Sequence, residues 1–71
     1  MPSVYENVYG KFRAVVKLAD SRAMKYKNVS NLTKFIQYMN ENYQVQAIFF
    51  YYKDNGTKAY WYNKKSGLNT W

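Results

Sequence analysis

Residues 32–43 carry the helical periodicity of this chain, and the segments on both sides of them alternate with period two. Leu32, Phe35, Ile36, Met39 and Tyr43 fall at i, i+3, i+4, i+7 and i+11, a single apolar stripe on a helix. Lys34, Gln37, Asn40 and Glu41 take the other face. Ser30 or Asn31 supplies the N-cap, because a side-chain oxygen there accepts from a free backbone N–H of the first turn. The spacing predicts a helix over 31–42, ending in the run Asn40 to Asn42.

Before the helix, Phe12, Ala14, Val16 and Leu18 alternate with Lys11, Arg13, Val15 and Lys17, which predicts a half-buried strand over 11–19. Asp20-Ser21 turns the chain. Met24 and Tyr26 then alternate with Lys25 and Lys27 in a second strand over 22–29, completing a hairpin. After the helix, residues 44–53 are β-branched and aromatic. Asn55-Gly56 follows, a dipeptide that tolerates the positive φ of a two-residue type I′ turn. Lys58 to Lys65 is a fourth strand, and Ser66-Gly67 turns the chain into Leu68–Trp71, a short edge strand or a packed tail.

The order is β-β-α-β-β. One helix covers one face of an antiparallel sheet, so the expected fold class is α+β, a single small two-layer domain with the other sheet face open. A chain of 71 residues buries only about 60% of its unfolded surface, enough for one small core. Residues 1–71 are therefore read as one domain, with 1–10 as an extended N-terminal arm. The expected core is Val16, Leu18, Leu32, Phe35, Ile36, Met39, Phe50 and Trp61.

Composition narrows the chemistry. The chain has no Cys and no His, which removes disulfides, thiolate zinc sites, thiol nucleophiles and the commonest general base. Glu6, Asp20, Glu41 and Asp54 are its four carboxylates and lie in four separate segments, so no carboxylate pair and no metal site is expected. Gly10, Gly56 and Gly67 are too scattered for a phosphate-cradling loop. No cofactor is expected, and the chain reads as a binder and not as an enzyme.

Its net charge of +7 favours polyanions: nucleic acid, an anionic membrane or the acidic surface of a protein. The N-terminus lacks the charged and apolar regions of a signal peptide. The apolar run Ala47–Tyr52 is far short of the roughly 20 residues a membrane span needs, so no membrane association is expected. A soluble, cytoplasmic protein follows. Lys outnumbers Arg and both Asn and Tyr are frequent, a usage that points to an AT-rich bacterial, phage or plasmid genome.

A two-residue turn at Asn55-Gly56 would pair Lys53 with Lys58, Tyr51 with Tyr60, Phe50 with Trp61 and Phe49 with Tyr62. Directly opposed residues share a face. The open face would then carry Phe49, Tyr51, Tyr60 and Tyr62, bordered by Lys53, Lys58 and Lys64. The first hairpin adds Lys11, Arg13, Lys17, Lys25 and Lys27 to the same side. The candidate binding residues are Tyr51, Tyr60, Tyr62, Phe49, Lys53, Lys58, Lys64, Lys25, Lys27 and Arg13. Rings that stack splayed bases, among ammonium groups that neutralise phosphates, suit single-stranded nucleic acid. The same aromatic surface suits a homodimer contact, or a small phage- or mobile-element-encoded inhibitor that docks on a host protein.

Asp54-Asn55-Gly56-Thr57-Lys58-Ala59-Tyr60-Trp61-Tyr62-Asn63, then Ser66, then Thr70-Trp71, resembles the second half of a WW domain. The resemblance implies proline-rich peptide binding by Tyr60, Tyr62 and Trp71. Phe49 stands where that family's first signature Trp would be, and no Pro follows Trp71.

Overall fold

The computed structural model of the chain describes residues 8–71. Five strands and one helix follow in order: β1 (Tyr9–Leu18), β2 (Ala23–Asn31), α1 (Leu32–Asn42), β3 (Val45–Tyr52), β4 (Lys58–Asn63) and β5 (Gly67–Thr70). All pairings are antiparallel, and the spatial order is β2-β1-β3-β4-β5. The α+β two-layer architecture is the expected one, with Gly67–Thr70 pairing as a true fifth strand. β1 begins at Tyr9, inside the segment expected to be an arm; the rest of that segment, residues 1–7, lies outside the described residues.

The β1–β2 connection is one residue longer than the expected Asp20-Ser21 turn, with residues 19–21 between the bonded pair Leu18 and Arg22. The Leu18 carbonyl accepts from the Ser21 N–H at 3.0 Å, and the Leu18 N–H donates to the Arg22 carbonyl at 2.9 Å. Ser21 is held at φ 76°, in the left-handed region. Asp20 accepts from both the backbone N–H of Arg22 (3.1 Å) and its guanidinium (2.7 Å), and these bonds hold its carboxyl below the usual carboxylate range.

β2 runs directly into α1. Asn31 is at once the last strand residue and the helix N-cap, its side chain accepting from the Lys34 N–H at 3.2 Å. The helix ends where the Tyr43 N–H meets the Met39 carbonyl at 2.8 Å and Tyr43 is extended.

The core lies between α1 and one sheet face. Phe12, Ala14, Val16 and Leu18 of β1, Ile48 and Phe50 of β3, and Leu32 and Met39 of α1 are buried. Phe35 is partly buried and makes edge contacts with Tyr26 (5.0 Å between centroids) and Phe50 (5.9 Å), which seats the helix over β2, β1 and β3. Ile36 is also only partly buried. Trp61, expected in the core, belongs to the opposite face.

That last correction comes from the β3–β4 pairing. The connection is not a two-residue type I′ turn. The Tyr52 carbonyl accepts from the Gly56 N–H at 2.7 Å, and the Tyr52 N–H donates to the Thr57 carbonyl at 2.8 Å. Gly56 has φ +72° while Asn55 keeps a negative φ, and the Asn55 carboxamide oxygen accepts from the Thr57 N–H and hydroxyl at 3.0 and 2.7 Å. The longer loop pairs Tyr51 with Lys58, which moves the register by two and leaves every face unchanged. A bulge then sets Phe50 against Tyr60, with Ala59 as the additional residue. A single added residue exchanges the faces of everything beyond it. Ala59 and Tyr60 both lie on the helix side, and Trp61 turns away from it.

Candidate functional site

The face of the sheet away from α1 is defined by alternation with the buried residues. Phe49 lies opposite Val15 on one side and Trp61 on the other, while its neighbours Ile48 and Phe50 are fully buried under the helix. Tyr51 pairs with Arg13 and Lys58, Val15 with Lys25, and Trp61 with Asn69. Trp71 follows β5, is 51% exposed and packs on Phe49 at 6.0 Å between centroids. Its indole N–H donates to the Tyr60 carbonyl at 2.8 Å, which fixes the ring on this face. The Lys58 ammonium sits 4.7 Å from the centre of the Trp71 ring, a cation–π contact.

Lys58 apart, the rings and the cations occupy different halves of the face. Phe49, Trp61 and Trp71 lie toward β4 and β5, and Tyr51 stands at the seam. On the β1–β2 side, Arg13, Lys25, Lys27, Lys53 and Tyr51 line a concavity of about 650 Å³. A second bulge shapes it: Phe12 pairs with Val29 but Ala14 with Tyr26, so β2 carries one more residue than β1 opposite Arg13. The Lys53 ammonium donates to the Asn28 carboxamide oxygen beside that bulge. Lys17 extends the charge along β1.

No residue of the five strands is an Asp or a Glu. Of the described carboxylates, Asp20 and Asp54 are in turns and Glu41 is on α1. Thus no strand carboxylate neutralises the six cations Arg13, Lys17, Lys25, Lys27, Lys53 and Lys58.

Seven of the ten sequence-predicted residues come together here: Phe49, Tyr51, Lys53, Lys58, Lys25, Lys27 and Arg13. Three do not. Tyr60 makes an edge contact with Phe12 of the core at 5.9 Å, and the Tyr62 hydroxyl accepts from the Asn40 side chain of α1 at 2.9 Å. Lys64 is in the β4–β5 turn and lines a helix-side groove with Tyr62. The Ala59 bulge moves Tyr60 and Tyr62, and it substitutes Trp61, which was expected in the core. Trp71, at the end of the segment expected as a short edge strand or a packed tail, joins the face without having been among the ten candidates. Its alternation with Asn69 was the signal that places it on this face.

The WW arrangement is not formed. Tyr60 and Tyr62 face the helix, Trp71 faces the other way, and β3 pairs with β1 on its far side instead of ending a three-stranded sheet.

Among the described residues no three potential ligands of the His, Cys, Asp and Glu types come together as a metal site. No helix among them is long and apolar enough to cross a membrane. No protein-family model, no curated protein and no solved structure matches this chain.

Proposed function

We propose that this protein binds single-stranded nucleic acid on the sheet face away from α1. The supporting observation is a face whose strands carry no Asp or Glu, with four aromatic rings beside six cations and Asp54 at its edge near Arg13 and Lys53. Unpaired bases stack on Phe49, Trp61, Trp71 and Tyr51, each contact contributing about 1–3 kcal/mol. Phosphates lie over Arg13, Lys25, Lys27 and Lys53, whose concavity adjoins Tyr51. A duplex hides its bases inside two backbones, so flat rings on a sheet favour the single strand. The reading names no catalytic group.

Titration of a labelled oligo(dT) of about 12 nucleotides, within the span of small single-strand platforms, tests the reading. Affinity should fall linearly in log–log form with salt, because phosphate contacts release counterions. Weak, salt-insensitive binding would refute it. A protein partner retained from host lysate after nuclease treatment would favour the rival reading, in which a phage- or mobile-element-encoded regulator docks on a host protein through the same rings.

A further inference from the structure

A second surface lies on the helix side of the sheet. Neighbouring strands are spaced about 4.8 Å apart, so the axes of the outer strands stand roughly 19 Å from each other. One helix, about 10–12 Å across, covers half of that width. Phe35 and the buried Leu32 and Met39 seat α1 over β2, β1 and β3. On its other flank the helix reaches β4 through the bond from Asn40 to Tyr62. The strip over β4 and β5 is left as a groove of about 500 Å³. Its floor is Tyr62 and Leu68, its wall is Ile36 of α1, and its far rim is Lys64 and Lys65. Tyr62, Leu68 and Ile36 are half-buried, and both lysines are exposed.

We infer that this groove accepts an acidic amphipathic helix of a partner protein, lying beside α1 and completing the second layer. Helices pack with axes 8–10 Å apart, which is the width of sheet that α1 leaves uncovered. The apolar floor and wall take residues at i, i+3, i+4 and i+7 of the incoming helix. Charge decides the rest. No carboxylate lines the groove, and Lys64 and Lys65 stand where acidic side chains would flank the apolar stripe. A second copy of this chain fits poorly, because the exposed face of α1 sets one carboxylate, Glu41, against Lys34 and so offers no net acid, and the whole chain carries +7. This surface is separate from the sheet face away from α1, so either reading can fail without the other.

The test uses the full chain as bait for a displayed library of peptides of about 15 residues, long enough to form a helix in contact. Apolar residues are fixed at i, i+3, i+4 and i+7, and all other positions are random. Enriched peptides should be rich in Asp and Glu, and should shift the amide resonances of Ile36, Tyr62 and Leu68. Their affinity should fall about tenfold or more for the Lys64→Glu/Lys65→Glu variant, whose exposed turn positions leave folding intact. Two results overturn the inference: enrichment without acidic bias, or acidic peptides that bind the double variant as tightly as the unaltered chain. Absence of any enrichment also overturns it.

Discussion

Ser21 occupies a left-handed conformation at φ 76° that costs a non-glycine residue about 1–2 kcal/mol. Ser21→Gly removes that strain but frees the unfolded chain, an opposing effect of about 0.4–1 kcal/mol. The expected net gain is about 0.5–1 kcal/mol, a few degrees in a thermal melt. An unchanged or lower melting temperature would show that the side chain contributes more than its backbone costs. Gly10 gives the opposite case. A Cβ there would stand 2.6 Å from the ring of Phe12, which is almost fully buried, so Gly10→Ala should lower the melting temperature. The residue scale is also where sequence reading reached its limit. Alternation located Phe49, Tyr51, Arg13, Lys25 and Lys27 on the face away from α1 because β1 over 12–17 and β3 over 47–52 carry no inserted residue, and the alternation of β2 holds from Met24 to Lys27, up to its bulge. It failed at Tyr60, Trp61 and Tyr62 because one inserted residue, Ala59, exchanges faces. Nothing in a run of β-formers marks where a bulge will sit.

At the scale of elements, α1 was legible because its stripe and its cap agree. Which stripe residues carry the load was less so. Ile36 was expected in the core, yet Leu32 and Met39 are the fully buried ones, since the helix leans over β2, β1 and β3. Met39→Ala should cost about 2–5 kcal/mol, a large part of what a small domain possesses. Ile36→Ala should cost less, and denaturant titration of the two side by side decides the order. Asn31→Ala removes the cap bond to Lys34 and should cost about 1 kcal/mol. β2 also sets an alkaline limit. Burial raises the Tyr26 hydroxyl above its ordinary value, and Tyr43 and Tyr38 nearby add to this. The folded state therefore keeps its proton after the unfolded state has released one. Stability from this group is full below the ordinary tyrosine value and is lost as pH rises past about 10. Tyr26→Phe should flatten the alkaline limb of a stability–pH curve.

Across the whole molecule, the two hairpins were visible from local turn signals, but the sheet order was not. β1 and β3 are joined by pairing across the length of β2 and α1, and no local pattern announces so distant a partner. That pairing joins the cations of the first hairpin to the rings of the second and so builds the proposed interface. Lys25→Gln/Lys27→Gln should lower the slope of log affinity against log salt for oligo(dT) by about 1.4, at roughly 0.7 per lost phosphate contact. An unchanged slope would remove the first hairpin from the interface.

In the proposed binding mode nucleic acid contacts the side of the sheet where Trp61 lies, and not the side of Tyr60. The most direct measurement is the oligo(dT) affinity of the folded Trp61→Ala variant beside that of Tyr60→Ala. Trp61→Ala should lose about 1–3 kcal/mol of binding, roughly fivefold to more than a hundredfold, by removing one stacking ring. Tyr60→Ala should instead lower the melting temperature through its contact with Phe12, and bind with near-normal affinity at temperatures where it is folded. A Trp61→Ala variant that binds as tightly as the unaltered chain, with the loss appearing in Tyr60→Ala, would move the binding surface to the helix side and overturn the proposal.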